Sequence, residues 1–212
     1  MTRLTIAIAK GRLEQPALEL LRRAEFCELP EDNDSRRLAI EDEAGSFRFI
    51  FVKPMDVPVY VERGVADCGV VGRDVLLEYE PDVLQPLTLD IGRCRFVVAA
   101  PVEMPPFGHR MVRVATKFPR VATSYFGARG QPVEIITLSG SVELAPGLGL
   151  ADCIVDLVET GRTLRDNGLE AVEEIAELSA RLIVNRASYQ LKVKEVSRVI
   201  EALSQAVGGV AP

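Results

Sequence analysis

The stretch ADCIVDLVETGRTLRDNG, residues 151–168, decides the fold. Its apolar run, Cys153 to Val158, is interrupted only by Asp156 and stops at Glu159-Thr160-Gly161-Arg162-Thr163, where a charged segment begins. A buried strand that ends in a small, hydroxyl-rich loop with a glycine and then enters a helix is a ligand-holding arrangement. The same triplet, Ala-Asp-Cys, stands at 66–68, again ahead of an apolar run that ends in glycine, ADCGVVG (66–72).

Working outward from the two triplets gives two series of elements in the same order. The first runs RLTIAIA (3–9, strand), Lys10-Gly11-Arg12, EQPALELLRRAEF (14–26, helix), FRFIFVK (47–53, strand), VPVYVERG (57–64, short helix), ADCGVVG (strand) and RDVLLEYE (73–80, helix). Ala17, Leu20, Leu21 and Ala24 give the first helix its apolar spacing. After the strand CRFVVAAP (94–101) the order restarts with VRVATK (112–117, strand), PRVATSYFGARG (119–130, helix), VEIITL (133–138, strand), SGSVELAPGLG (139–149, turn and short helix) and ADCIVDLVETG (strand). This order implies two similar α/β lobes. Beyond residue 170, AVEEIAELSARL (171–182) reads as a helix, LIVN (182–185) as a strand and ASYQLKVKEVSRVIEALSQAV (187–207) as one long amphipathic helix. This tail has no lobe of its own and is expected to complete the first. Lobe I is then 1–91 plus 178–212, and lobe II is 92–177. Two-lobed α/β proteins hold ligands in the cleft between lobes, at the C-terminal ends of strands.

Bulk composition narrows the classes. The 212 residues are 48% hydrophobic and 26% charged, with a net charge of −6. A nucleic-acid binder would carry a basic excess, so none is expected as a partner. No apolar run approaches the ~20 residues of a membrane helix, and MTRLTIAIAKGRL lacks the long apolar core of a signal peptide. The chain therefore reads as cytoplasmic. Cys27, Cys68, Cys94 and Cys153 are widely spaced with no CxxC, which argues for buried reduced thiols. The single histidine, His109, sits in the loop-like PPFGHRM, which disfavours a triad or a multi-histidine metal site.

Residues just after parallel strands face the binding crevice. Those loops are Lys10-Gly11-Arg12, Lys53-Pro54-Met55-Asp56, Gly72-Arg73-Asp74, Ser139-Gly140-Ser141 with Glu143, and Glu159 to Thr163. Together they supply ammonium and guanidinium charges, hydroxyl donors and backbone N–H groups, the parts of a phosphate site. Singly, Lys10 and Arg12 read equally as surface charges, and Gly72-Arg73-Asp74, Ser139 and Ser141 as helix caps. Asp156 is harder to dismiss, because a lone acid in an apolar strand is costly to bury without a partner. An acid followed by a phosphate cradle suits a ribose phosphate. No GxxxxGK[ST] occurs, and GLGLAD (147–152) precedes a strand and lacks a third glycine, so the common nucleotide fingerprints are absent.

AIAKGRL, KPMDVPVYVERGVADCGVVGRDVLLE, RVATKFPRVATSYF and EIITLSGSVELAPGLGLADCIVDLVETGRTLRDNGL resemble, in this order, the ATP phosphoribosyltransferase family, and DLVETGRTL resembles its phosphoribosyl-pyrophosphate loop. The resemblance implies an α/β fold of the two-lobed, periplasmic-binding-protein-like type II class. It implies transfer of the phosphoribosyl group of phosphoribosyl pyrophosphate to N1 of ATP with release of pyrophosphate, the first step of histidine biosynthesis. The chain is similar to the family's short form. That implies a homodimer of catalytic chains assembled with a histidyl-tRNA synthetase-like regulatory subunit into a hetero-oligomer, and Mg²⁺ carried mainly by substrate phosphates. Carried onto these residues, Glu159, Thr160, Gly161, Arg162 and Thr163 take the sugar 5′-phosphate, and Asp156 and Glu159 take ribose hydroxyls or organise the loop. Lys10, Arg12 and Lys53 face pyrophosphate or the ATP phosphates, and Gly11, Gly72, Arg73, Ser139, Gly140, Ser141 and Glu143 border the nucleotide. A solute-binding protein of the same shape, a scaffold without chemistry, and a phosphoribosyltransferase with another acceptor base are the rival readings.

Overall fold

A computed structural model describes residues 3–28, 38–102, 108 and 110–208. His109 and most of the loop PPFGHRM lie outside them. The chain divides into two compact units. Unit 1 is Met1–Leu76, Glu80–Gly92 and Ser179–Pro212; unit 2 is Leu77–Tyr79 and Arg93–Leu178.

Unit 1 is built on a six-stranded sheet. Its strands are β1 (Leu4–Ala9), β2 (Ala39–Glu41), β3 (Phe47–Val52), β4 (Cys68–Gly72), β5 (Leu84–Thr88) and, from the tail, β11 (Ala180–Val184), in the order β2-β3-β1-β4-β11-β5. β1 pairs in parallel with β3 and β4, while β2, β5 and β11 run antiparallel to their neighbours. β1 and β4 are almost wholly buried, as their continuous apolar runs require of central parallel strands. Helices α1 (Glu14–Arg23), α2 (Val57–Glu62) and α8 (Val193–Gly208) and the start of α3 (Arg73–Tyr79) cover the sheet. They add Leu18, Leu21, Val57, Val61, Val75, Val199 and Leu203 to one core.

Unit 2 is built on a five-stranded sheet of β6 (Cys94–Pro101), β7 (Val112–Thr116), β8 (Val133–Thr137), β9 (Cys153–Val158) and β10 (Leu169–Leu178), in the order β10-β6-β9-β7-β8. β7 is parallel to both β8 and β9. Alternation along β9 sends Cys153 and Val155 to a core with Phe118, Val121, Ala122 and Phe126 around α4 (Pro119–Gly127). Ile154 and Val158 go to the other face, against Val142, Ala145 and Leu164 from α5 (Leu144–Gly147) and α6 (Arg162–Asp166) and the loops before them.

Two expectations fail. Residues 171–182 do not form a helix: most of them lie in β10, which pairs antiparallel with β6 at the sheet edge. Two register shifts, at Ala171/Glu173 and Glu174/Ala176, break its alternation. Val172, Ile175 and Ala176 therefore stand at spacings that imitate a helix. Tertiary pairing overrides the helix preference of Ala and Glu, and the edge glutamates discourage pairing with another sheet. The long terminal helix is also two helices, α7 (Arg186–Leu191) and α8, separated by Lys192 at φ −123°, ψ 40°. The short strands β2 and β5 carry no clear sequence signal. Their half-exposed residues, with Pro86 inside β5, dilute both periodicities.

The repeated triplets build the same joint in each unit. Asp67 N–H donates to the Thr5 carbonyl (2.8 Å), and the Asp67 carboxylate accepts from Thr5 N–H (2.8 Å). Asp152 N–H donates to the Arg113 carbonyl (2.8 Å), and its carboxylate accepts from Arg113 N–H (2.8 Å). In both units the aspartate therefore fastens the strand it precedes to the central parallel strand.

Candidate active site

Strand register places the candidate loops. In unit 1 the pairs Ala9↔Val52 and Ile8↔Val70 bring Lys10, Lys53 and Gly72-Arg73 to the same sheet edge. Lys10 is half-buried, with its N–H on the Val52 carbonyl (2.8 Å), and Lys53 is exposed. Gly11 turns the chain at φ +84°, with open space where a Cβ would stand. Arg12 donates to the Gly92 carbonyl (3.4 Å) and lies beside Asp74. Gly72 is fixed by the side chain of Asp74: a Cβ at Gly72 would stand 2.0 Å from Asp74 Oδ1. Burial raises the Asp74 carboxyl, opposed by its own N–H, by the Arg12 charge and by Val75 N–H. In sequence Asp74 is only part of a cap; its position beside Arg12 is what distinguishes it.

In unit 2 the pairs Thr116↔Thr137 and Thr116↔Val155 bring the ends of β7, β8 and β9 together. Asp156 points to the α5–α6 face and is half-buried. Burial pushes its carboxyl above the usual carboxylate range; Leu157 N–H (2.8 Å) and the Lys117 charge pull it back, and Glu143 pushes it up. The structure thus gathers Asp156, Glu143 and Lys117 around one carboxylate. Lys117 ends a strand in the sequence pattern without standing out as a site residue, since only the register shows its neighbours. Buried Thr116 holds this strand end, its hydroxyl donating to the Val155 carbonyl (2.7 Å) and accepting from Phe118 N–H (2.8 Å). Ser139, Gly140 and Ser141 are exposed, and Ser141 sits in the left-handed region at φ 49°. That conformation is uncommon for serine and is tied down by buried Val142.

The loop after β9 is open where its counterpart is closed. At α4 the Glu78 carboxylate accepts from Arg120 N–H (3.0 Å) and Val121 N–H (3.1 Å), filling the helix start with the protein's own anion. At α6, Gly161 (φ +72°) is the N-cap with no side-chain cap. Glu159, Thr160, Arg162 and Thr163 are exposed, and Arg162 lies 3.6 Å from Asp166. Arg165 buttresses the loop by donating to the Thr160 carbonyl (3.3 Å). A cavity of about 190 Å³ lies against the loop, lined by Arg95, Val158, Thr160, Gly161 and Leu164 among others.

The cysteines take no part in this chemistry. Cys68, Cys94 and Cys153 are buried, and all four are free thiols. Burial pushes Cys27, Cys68 and Cys153 up to about 12, far from a reactive thiolate.

Comparison with known proteins settles the family. The model of HisG, ATP phosphoribosyltransferase, matches residues 53–205. The chain belongs to the ATP phosphoribosyltransferase family. It is 52% identical over 208 residues to the ATP phosphoribosyltransferase of Geobacillus kaustophilus, covering 96% of this chain and 98% of the relative. Among solved structures it superposes on a chain of the ATP phosphoribosyl transferase (HisG:HisZ) complex from Thermotoga maritima with a TM-score of 0.81 and 39% identity, covering 97% and 98% of the two chains. The periplasmic aliphatic sulphonate binding protein SsuA from Escherichia coli superposes at a TM-score of 0.63 and 12% identity, covering 98% of this chain and 69% of that one. This likeness concerns the fold alone, which is α/β and of the periplasmic-binding-protein type.

Proposed function

We propose that this chain carries out the family's reaction with a sugar-phosphate site at the loop after β9 in unit 2 and a phosphate-binding cationic edge in unit 1. The activity of the family, transfer of a phosphoribosyl group to N1 of ATP as the first step of histidine biosynthesis, is the activity of this chain. The C1–O bond to pyrophosphate breaks while a bond from N1 of adenine to C1 forms. Charge builds up on the leaving group, and C1 becomes cation-like. Neither change needs a protein nucleophile, so positioning and charge stabilisation carry the catalysis.

The observation that carries this reading is the partnership at Asp156. A half-buried carboxylate with Lys117 and Glu143 as charged neighbours stands beside the open, glycine-turned loop Glu159–Thr163. In this reading Thr160, Thr163 and the N–H groups from Gly161 onward hold the 5′-phosphate, and Arg162 adds charge. Asp156 and Glu159 accept from the ribose hydroxyls. Ser139, Gly140, Ser141 and Glu143 border the adenine nucleotide. Lys10, Arg12 and Lys53 face the departing pyrophosphate or the ATP phosphates, and Gly11, Gly72 and Arg73 border the nucleotide with them.

Mg²⁺ is proposed as a companion of the substrates. Among the described residues no group of three or more His, Cys, Asp or Glu could hold a metal ion. The ion, carried by pyrophosphate oxygens, would offset their charge. The regulatory partner is proposed to be a histidyl-tRNA synthetase-like subunit, in line with the HisG:HisZ complex from Thermotoga maritima, with the catalytic chains paired as homodimers. Among the described residues no helix is long and apolar enough to cross a membrane, and a cytoplasmic location is proposed.

The test is product formation by the purified chain with ATP, phosphoribosyl pyrophosphate and Mg²⁺, monitored by pyrophosphate release and the absorbance of the N1-substituted adenine. Product is expected, alone or with the regulatory subunit added. No product under either condition would remove the catalytic reading and leave a ligand-binding relative.

A further inference from the structure

Arg181 lies in β11, the strand that the tail adds to the sheet of unit 1. β11 runs antiparallel to β4, so its first residues lie beside the last residues of β4, with Ala180↔Gly72 and Arg181↔Val71. On its other side Arg181 pairs with Thr88 of β5. Arg73 N–H donates to the Ser179 carbonyl (3.1 Å), which fixes the start of α3 against the same chain end. Arg73 and Arg181, remote in sequence, therefore meet at one edge of the sheet, and both are half-buried. Ala180 and Leu182, the flanking residues in β11, are fully buried.

The two guanidinium groups work against each other. Burial and the Arg73 charge both act on Arg181 in the direction that disfavours its cation, and no carboxylate opposes them. Among the described residues neither guanidinium has an ion pair or hydrogen bond. Elsewhere the arrangement is different. Arg113 pairs with Asp152 (3.1 Å), Arg95 with Glu174 (2.8 Å) and Arg186 with Asp82 (2.6 Å). Arginine does not escape the conflict by losing its proton. Two like charges held half out of water with no counter-charge are unfavourable until an anion joins them. Paired guanidinium forks match the oxygens of a phosphate chain.

We propose that Arg181 and Arg73 form a polyphosphate subsite of unit 1, with Arg181 the residue that extends the cationic edge formed by Lys10, Arg12 and Lys53. The subsite rests on the reading of the chain as an ATP phosphoribosyltransferase for its two candidate ligands, the triphosphate of ATP and the pyrophosphate arm of phosphoribosyl pyrophosphate. Both offer the same chemistry, a linear chain of phosphoryl oxygens.

Calorimetric titration of the parental chain, Arg181→Gln and Arg181→Lys with ATP, phosphoribosyl pyrophosphate, inorganic tripolyphosphate and adenosine tests the proposal. In Arg181→Gln, tripolyphosphate binding and that of one substrate are expected to weaken about tenfold or more, with partial rescue in Arg181→Lys and no change for adenosine. The substrate that weakens identifies the source of the chain. Thermal melting supplies a readout that a purely structural arginine would move the other way. Without ligand, Arg181→Gln should melt at or above the parental temperature, because an uncompensated charge is gone. Tripolyphosphate should raise the melting temperature of the parent more than that of the variant. If Arg181→Gln fails to fold, Arg181 is structural and the proposal falls. Arg73→Gln then reports separately on whether any polyphosphate site exists at this edge. Binding of all three phosphate ligands within twofold of the parent would also overturn it. If the parental chain forms no product, the assigned activity fails instead, while a loss of tripolyphosphate binding in Arg181→Gln would still establish the subsite.

Discussion

The two Ala-Asp-Cys joints share backbone geometry and differ in what surrounds the carboxylate. Asp67 is buried, accepts from Ser188 Oγ (2.6 Å) and pairs with Lys192 Nζ (2.8 Å), which also donates to the Arg3 carbonyl (3.0 Å). Asn185 strengthens the same corner, capping α7 by accepting from Ser188 N–H (2.9 Å) and donating to the Val61 carbonyl (2.9 Å). Asp152 is more exposed and pairs with Arg113 and Arg110, near its own strand. One joint holds the returning tail on unit 1. The other remains local. A repeated motif therefore repeats the strand junction, while its free carboxylate oxygen takes whatever the chain brings alongside.

The largest expected effect breaks this comparison at the buried joint. Asp67→Ala leaves Lys192 without its counter-charge and should destabilise the protein by about 3 kcal/mol or more. Asp152→Ala, in its more solvated setting, should cost about 1 kcal/mol. Urea denaturation of both variants checks the order, and equal losses would mean that the tail does not depend on Asp67.

The candidate binding edges of the two sheets differ in charge: cations dominate in unit 1, and acids with hydroxyls in unit 2. Arg12→Ala should therefore lower turnover by about a hundredfold while leaving the melting temperature near that of the parent. A variant with normal turnover would take Arg12 out of the reaction.

Gly161 and Gly11 sharpen the comparison at the level of the backbone. Both turn the chain in the left-handed region, so each change to alanine should cost about 1 kcal/mol. Gly161→Ala should also raise the KM for phosphoribosyl pyrophosphate. Stability curves and initial rates measured together separate the two effects.

The smallest effect concerns pH. Asp156 has its folded carboxyl raised above the unfolded value, chiefly by burial. The folded state thus favours the protonated acid, and the stability this contributes is present below the unfolded pKa and lost as pH rises through the folded pKa. Asp156→Asn should gain stability relative to the parent near neutral pH and little or none near pH 3, while losing activity. Denaturation at the two pH values checks the sign. A gain at low pH alone would reverse the assignment of burial as the cause.

Much of this is legible in the residues. Continuous apolar runs such as CGVVG and CIVDLV mark the central strands, and the order of elements between the triplets marks the α/β class. β10 is hidden in the sequence because its two bulges disguise the strand period. α7 and α8 read as one helix because nothing local marks Lys192 as non-helical. That break accompanies a lysine held by Asp67, far away in the chain. In the candidate site the loop 159–163 stands out through its own glycine and threonines. Lys117, Asp74 and Arg181 do not, since each is ordinary in its local context.

By itself the sequence determined the elements whose signals are local: apolar periodicity, the glycines at turns, and the motifs that mark the ATP phosphoribosyltransferase family. Tertiary structure decided which charges became neighbours. Parallel register set Lys117 beside Asp156, and antiparallel register set Arg181 beside Arg73. Backbone preferences act over a few residues, but electrostatic partnership depends on distance in space, and that distance exists only once the sheets have formed.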